Sequence, residues 1–230
     1  MLPKGSFATL ANGFQFHYHD GGQGDVVLFL HGSGTGASGF TNFKKNIDFF
    51  QRNGFRTIVP DLPGYGFSDK PEDEIYTISF FNNLLLELLD HLNILNCSVV
   101  GNSLGGALAM GLSLEQPERF SKLILMAPGG LEDFSAYQEM PGIKKLLGDF
   151  LGGEMNQEKI EGLLKLFPYD PSFVTKDIIE DRMEILPLMN QQVLASMDIP
   201  NLCKKLKNNQ TPVLAFWGSN DLFIPASGIN

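Results

Sequence analysis

Apolar and polar positions alternate with period two over Phe14-Gln15-Phe16-His17-Tyr18-His19, which predicts an early strand. The next segment, Val26-Val27-Leu28-Phe29-Leu30, is apolar without interruption. Such a run suits a strand covered on both faces, as in a parallel sheet flanked by helices. Further strands are expected at Arg56–Val59, Ser98–Val100, Lys122–Met126 and Val213–Trp217. Helices are expected between most of them, notably over Ile78–Leu92 and Leu104–Leu114. Strands alternating with helices predict an α/β fold: a mostly parallel sheet with right-handed crossovers and helices on both faces.

Between Met126 and Thr211 the strand signal stops. Ile143, Leu146, Leu147 and Phe150 recur at helical spacing, as do Ile160, Leu163, Leu164 and Phe167, and both sets read as stripes of amphipathic helices. Prolines at 141, 168, 171, 187 and 200 cut the segment into short pieces. Residues 1–128 therefore read as a core, 129–207 as a helical insertion above the sheet, and 208–230 as the core continued.

Composition narrows the field. Apolar residues make up 43% and charged residues 19% of the 230, which marks a core-forming protein. The net charge of −9, with no cluster of Lys and Arg, argues against nucleic acid as a partner. The apolar stretch Val99–Leu114 is interrupted by Asn102, Ser103 and glycines and is too short to span a bilayer, so no membrane role is expected. The start of the chain has no apolar stretch of the secretory type, and two cysteines, Cys97 and Cys203, fit a reducing compartment. A cytoplasmic location is the expectation.

Three motifs carry chemistry. Gly101-Asn102-Ser103-Leu104-Gly105 follows a predicted strand and opens a predicted helix. A serine on so sharp a turn needs glycine two residues before and after it, and the turn lifts the Ser103 hydroxyl above the sheet. The pattern alone is common; its strand–turn–helix setting gives it weight over a buried serine at a helix start. His31-Gly32-Ser33-Gly34-Thr35-Gly36 follows the strand ending at Leu30. There the N–H of Ser33, with that of Leu104, can hold a developing oxyanion. The loop lacks the lysine of a phosphate-binding loop. Trp217-Gly218-Ser219-Asn220-Asp221 closes the last predicted strand, placing Asp221 on the rim where it would orient a histidine. Glu132 and Asp133 are a weaker choice for that acid. No His/Cys/carboxylate set has metal-ligand spacing, so no metal or other cofactor is expected.

In this order the motifs resemble the α/β-hydrolase family, and within it the meta-cleavage-product hydrolases, from about Phe14 to Pro225. The resemblance includes Asp61-Leu62-Pro63-Gly64-Tyr65-Gly66-Phe67-Ser68-Asp69, Leu125-Met126-Ala127-Pro128-Gly129-Gly130-Leu131, and Phe167-Pro168-Tyr169-Asp170. It implies a Ser-His-Asp hydrolase that cleaves a carbon–carbon bond in a 2-hydroxy-6-oxo-dienoate, a small-molecule substrate from aromatic catabolism. Asn42, Asn102 and Arg182 match the subfamily's polar substrate site; Gly32 and Gly34 of the loop and Phe167 of the lid complete it. Arg and Asn suit the task, since a guanidinium clamps a carboxylate bidentately and an amide both donates and accepts. Thr35 and Phe40 depart from the subfamily's usual proline and tryptophan. Relatives imply a homodimer or larger homo-oligomer. The alternatives are a carboxylesterase of the same fold and a non-catalytic small-molecule binder.

One member of the triad is not in view. His17, His19, His31 and His91 all precede Ser103, whereas the family order is Ser, Asp, His. His17 and His19 share one strand face and are expected to be solvated; His91 follows a helix and meets its terminal carbonyls; His31 is expected to order the Gly-rich loop. The resemblance implies a helix, a strand and a helix after Asp221 with the histidine beyond that strand. The expectation is therefore a truncated or partly observed chain, with a pseudoenzyme as the alternative.

Overall fold

The computed structural model describes residues 2–190, 193 and 195–229, the side chains at 150, 151, 228 and 229 excepted. Asn230, which ends the third predicted segment, lies outside the described residues, as does the side chain of Phe150 in the first predicted stripe.

A seven-stranded sheet forms the centre: β1 (Ser6–Thr9), β2 (Gln15–Gly21), β3 (Asp25–Leu30), β4 (Phe55–Pro60), β6 (Cys97–Asn102), β7 (Phe120–Met126) and β9 (Val213–Phe216), in the order β1-β2-β4-β3-β6-β7-β9. The pairs β1/β2 and β2/β4 are antiparallel and every other pair is parallel. The unbroken apolar run of β3 has the physical cause expected of it. Val27 and Phe29 pack with Phe43 and Ile47 of α1 (Gly39–Arg52) on one face. Leu28 and Leu30 belong to the opposite cluster, with residues of α2 (Ile78–His91) and α3 (Leu104–Glu115). Helix α3 is buried along nearly its whole length, so its apolar residues follow no stripe.

The crossovers place the site. From β3 the chain crosses through α1 to β4 on one side; from β6 it crosses through α3 to β7 on the other. The loops leaving the C-terminal ends of these adjacent strands therefore diverge and open a crevice between them, the usual ligand position in an open α/β sheet.

Between β7 and β9 lie α4 (Phe134–Gln138), α5 (Pro141–Leu151), α6 (Gln157–Leu164), α7 (Lys176–Ile185) and α8 (Cys203–Leu206). Ile160, Leu163 and Met155 form a small core of their own, joined by Leu146, Leu164, Met183 and Leu186. The segment is not free of strand, however. β8 (Met197–Asp198) pairs in parallel with β5 (Tyr76–Thr77), two residues too few to leave a periodic signal. Phe167 lies beyond α6, which ends at Leu164, so it is no part of that helix's stripe. β9 is an edge strand whose apolar side chains stand open: Val213, Leu214 and Phe216 are each more than half exposed.

Candidate active site

The turn that carries Ser103 is strained. Ser103 sits between β6 and α3 with φ 52° and ψ −115°, in the left-handed half of backbone space. It persists because the surroundings over-determine it: its N–H donates to Met126 O at 3.0 Å, and its carbonyl accepts from the N–H groups of Gly106 and Gly129 at 2.9 Å. A Cβ on Gly105 would overlap the carbonyl of Leu30, so α3 can approach β3 only with glycine there. Ser103 itself remains partly accessible. As the first residue of α3, Leu104 has no intrahelical acceptor for its N–H.

The loop after β3 meets this turn. A Cβ on Gly32 would lie 3.1 Å from Asn102 Oδ1 and 3.2 Å from the Ser103 Cβ, which sets the backbone next to Ser33 against Ser103. His31 anchors the loop from beneath. It is fully buried; its Nε2 accepts from the Leu62 N–H at 2.9 Å, so the proton resides on Nδ1, which donates to Gly32 O at 2.8 Å. Burial pushes its pKa down to about 4, against the pull of Asp61. With both nitrogens engaged, His31 orders the loop and is not a base.

Asn42, Asn102 and Arg182 form a continuous polar line from α7 to the residue before Ser103. Arg182 NH1 donates to Thr35 O at 3.2 Å and NH2 to Asn42 Oδ1 at 3.3 Å. Asn42 Nδ2 donates to Asn102 Oδ1 at 3.2 Å, and Asn102 Nδ2 to Met126 O at 3.1 Å. Gly34 lies beside the same guanidinium, its would-be Cβ 3.8 Å from NH1. Asn42 is carried by α1, whose start is fixed by a reciprocal cap between Ser38 and Thr41. Among the described residues, Arg182 Nε is buried and has no acceptor. Burial, partly offset by Asp181, lowers the guanidinium pKa to about 10.

Asp221 lies five residues past the end of β9, two strands from β6 and on the same rim. Two strand spacings are about 10 Å, room for one imidazole between carboxylate and serine. Its Oδ1 accepts from the N–H groups of Phe223 and Ile224 at 2.8 and 2.9 Å, which fixes the carboxylate in a turn. Asp133, the weaker choice, is exposed and accepts from Asn201. Phe167 is mostly exposed and stacks on Phe223 with centroids 4.2 Å apart, so it touches the Asp221 loop.

The expectation that His17 and His19 are solvated is overturned. His17 is 4% exposed and its Nδ1 pairs with Asp61 Oδ2 at 2.8 Å, while His19 is half-buried against Phe40. Asp61 is itself buried and accepts from the N–H groups of Gly39 and Phe67 as well. Burial opposes its ionisation, but His17 and the Phe67 N–H outweigh that and hold its pKa below the ordinary value. No periodicity could have shown this pair, because Asp61 approaches β2 only through the loop after β4. Strand β2 lies three positions from β6, about 14 Å, so neither histidine reaches Ser103. His91 ends α2, which enters β6 at the opposite end of the strands. None of the four histidines stands at the serine.

A family model described as alpha/beta hydrolase fold matches residues 25–159. The 2-hydroxy-6-oxo-6-phenylhexa-2,4-dienoate hydrolase of Burkholderia cepacia is 34% identical over 222 residues, covering 92% of this chain and 77% of that protein. The chain belongs to the α/β-hydrolase fold family. This α/β hydrolase is also 34% identical to the 2-hydroxy-6-oxononadienedioate/2-hydroxy-6-oxononatrienedioate hydrolase of Comamonas testosteroni, again over 92% of the chain and 77% of the relative. Among solved structures it resembles the meta-cleavage product hydrolase CumD of Pseudomonas fluorescens IP01, with TM-score 0.82 and 27% identity over 98% of this chain and 83% of that one. Among the described residues, no helix is long and apolar enough to cross a membrane.

Proposed function

We propose that this α/β hydrolase cleaves a carbon–carbon bond in a 2-hydroxy-6-oxo-dienoate, with Ser103 as the nucleophile and the segment 129–207 as the lid over the crevice. The observation that carries the reading is the Arg182 Nε, a buried donor without an acceptor among the described residues, at the end of a hydrogen-bonded line that reaches Asn102 beside the serine. Buried donors are satisfied in nearly all native structures, so this one awaits a ligand acceptor. A carboxylate fits best, because a guanidinium offers it parallel charge-assisted bonds.

The dienoate carboxylate lies on Arg182, and Asn42 and Asn102 hold its neighbouring 2-oxygen, Asn42 as donor once the ligand replaces an amide–amide contact. The 6-oxo carbon then faces Ser103. Negative charge developing on its oxygen meets the N–H groups of Ser33 and Leu104, which need no reorganisation at that moment. Asp221 orients the imidazole that takes the serine proton. The 2-hydroxy group first ketonises, its proton passing to C5, which gives a vinylogous 1,5-diketone. Ser103 adds to the 6-carbonyl, the C5–C6 bond breaks with its electrons and a proton going to the departing hydroxydienoate, and water hydrolyses the remaining acyl ester to a carboxylic acid and free Ser103.

The test uses residues 1–230 and follows 2-hydroxy-6-oxo-6-phenylhexa-2,4-dienoate by its visible absorbance, with imidazole supplied as an external base because His17, His19, His31 and His91 all stand away from Ser103. Binding is expected in the unaltered chain and in Ser103→Ala, with consumption of the chromophore only in the former and increasing with imidazole. Equal consumption by Ser103→Ala, or tighter handling of a short neutral ester than of the dienoate, would overturn the reading in favour of another mechanism or of an esterase.

A further inference from the structure

Helices α1 and α7 meet at a second polar contact, close to the one Arg182 makes. Lys44, two residues after Asn42 on α1, places its Nζ 2.6 Å from Asp177 Oδ2 and 2.5 Å from Asp181 Oδ2, both on α7. Asp181 adjoins Arg182 in sequence, and Asp177 lies one helical turn before it. The Lys44 and Asp181 side chains are 17% and 16% exposed, so water screens their attraction only in part. Asp177 is more open and also accepts from the Thr175 hydroxyl. Burial opposes the charge on Lys44, yet the two carboxylates outweigh it and raise its pKa.

Four charges thus occupy one junction: two cations, Lys44 and Arg182, and two anions, Asp177 and Asp181. Their sum is zero while Lys44 is present and −1 without it. The Asp181 charge already acts on Arg182. Without Lys44, that shielded carboxylate would lack its partner while standing next to a guanidinium with an open donor. The protein's own anion would then compete for the site that a ligand carboxylate should fill.

We propose that Lys44 is a positioning and selectivity residue: by neutralising Asp177 and Asp181 it keeps the Arg182 guanidinium on Asn42 and Thr35, available to an anionic ligand. The role rests on the reading of Arg182 as the carboxylate clamp. It extends that reading by making anion selectivity a property of the α1–α7 junction, not of Arg182 alone. A mere mechanical tie between the helices would predict something different: loss of Lys44 would weaken every ligand alike, and removing the two aspartates as well would not repair it.

The experiment measures the dissociation constant of 2-hydroxy-6-oxo-6-phenylhexa-2,4-dienoate and of its neutral methyl ester in Ser103→Ala variants, which leave the ligand intact. Lys44→Met is expected to weaken the dienoate about tenfold, a difference of about 1.4 kcal/mol, and to leave the methyl ester unchanged. Lys44→Arg keeps the affinity. Combining Lys44→Met with Asp177→Asn and Asp181→Asn restores it to within about threefold, because the junction then carries only the Arg182 charge. If Lys44→Met alone does not fold, Asp177→Asn/Asp181→Asn with Lys44 intact supplies the opposite arm, and the dienoate should bind more tightly. Unchanged affinity in Lys44→Met, equal losses for acid and ester, no repair by the triple change, or no tightening in the double change overturns the role of Lys44. Failure of the Lys44-containing chain to bind the dienoate overturns the reading of Arg182 together with it.

Discussion

The buried His31 makes acid sensitivity of the loop after β3 a quantitative expectation. Its Nε2 accepts from Leu62 N–H, so protonation there replaces a hydrogen bond with a clash of two donors inside the core. The folded pKa of about 4 lies below the ordinary 6.5, so the native state resists the proton that the unfolded chain accepts. Stability from this group is complete above pH 6.5, falls as the pH drops from 6.5 towards 4, and changes no further below that. At 1.36 kcal/mol per pH unit, that window amounts to about 3 kcal/mol, a large part of the stability of an ordinary domain. No discount for solvent applies, since the side chain is fully enclosed. His19, whose pKa is lowered by burial and by His17, titrates in the same sense, so the measurement belongs in a His19→Gln background. Asp61, with its lowered pKa, loses its contribution only below the ordinary carboxylate range, outside the window. Urea unfolding at several pH values between 7 and 4.5 gives the slope, and nitrogen NMR of the imidazole gives the tautomer. A flat stability across that range, or a His31 protonated on Nε2 at pH 6, would refute the reasoning.

Other substitutions test separate parts of the molecule. Arg182→Ala should lower kcat/KM on the dienoate about 10- to 100-fold, the worth of one or two charge-assisted bonds, while a short p-nitrophenyl ester changes little; steady-state assays on both substrates decide. Gly105→Ala should cost about 3 kcal/mol or more, because its Cβ would overlap the Leu30 carbonyl and pry α3 from β3, and chemical denaturation reads the loss. Asp61→Ala should destabilise by about 3–5 kcal/mol, since it strands the Gly39 and Phe67 N–H groups and leaves His17 without its partner. Its melting temperature should fall accordingly.

The sequence by itself determined the elements whose signal is local. An apolar run in β3 means two covered faces, and those faces are the α1 side and the α2/α3 side. Gly101-Asn102-Ser103-Leu104-Gly105 between a strand and a helix means a tight turn, because only small residues let a helix start so close to the sheet. The same logic placed Asp221 at the end of the last strand, and the resemblance matched Asn42, Asn102 and Arg182 to a substrate site. Neither stripe spacing nor motif could place what long-range packing decided. His17 alternates like a solvent-facing residue, yet the loop after β4 folds over it and delivers Asp61 to its ring. Two residues of β8 pair with β5 without a pattern long enough to see, and Phe167 leaves its helix to stack on Phe223. No local pattern marks Lys44, and only the packing of α7 on α1 brings Asp177 and Asp181 onto it. Periodicity records which face of an element is buried; it does not record which distant polar group will be there to meet it, and that is set only when the crossovers bring the loops together.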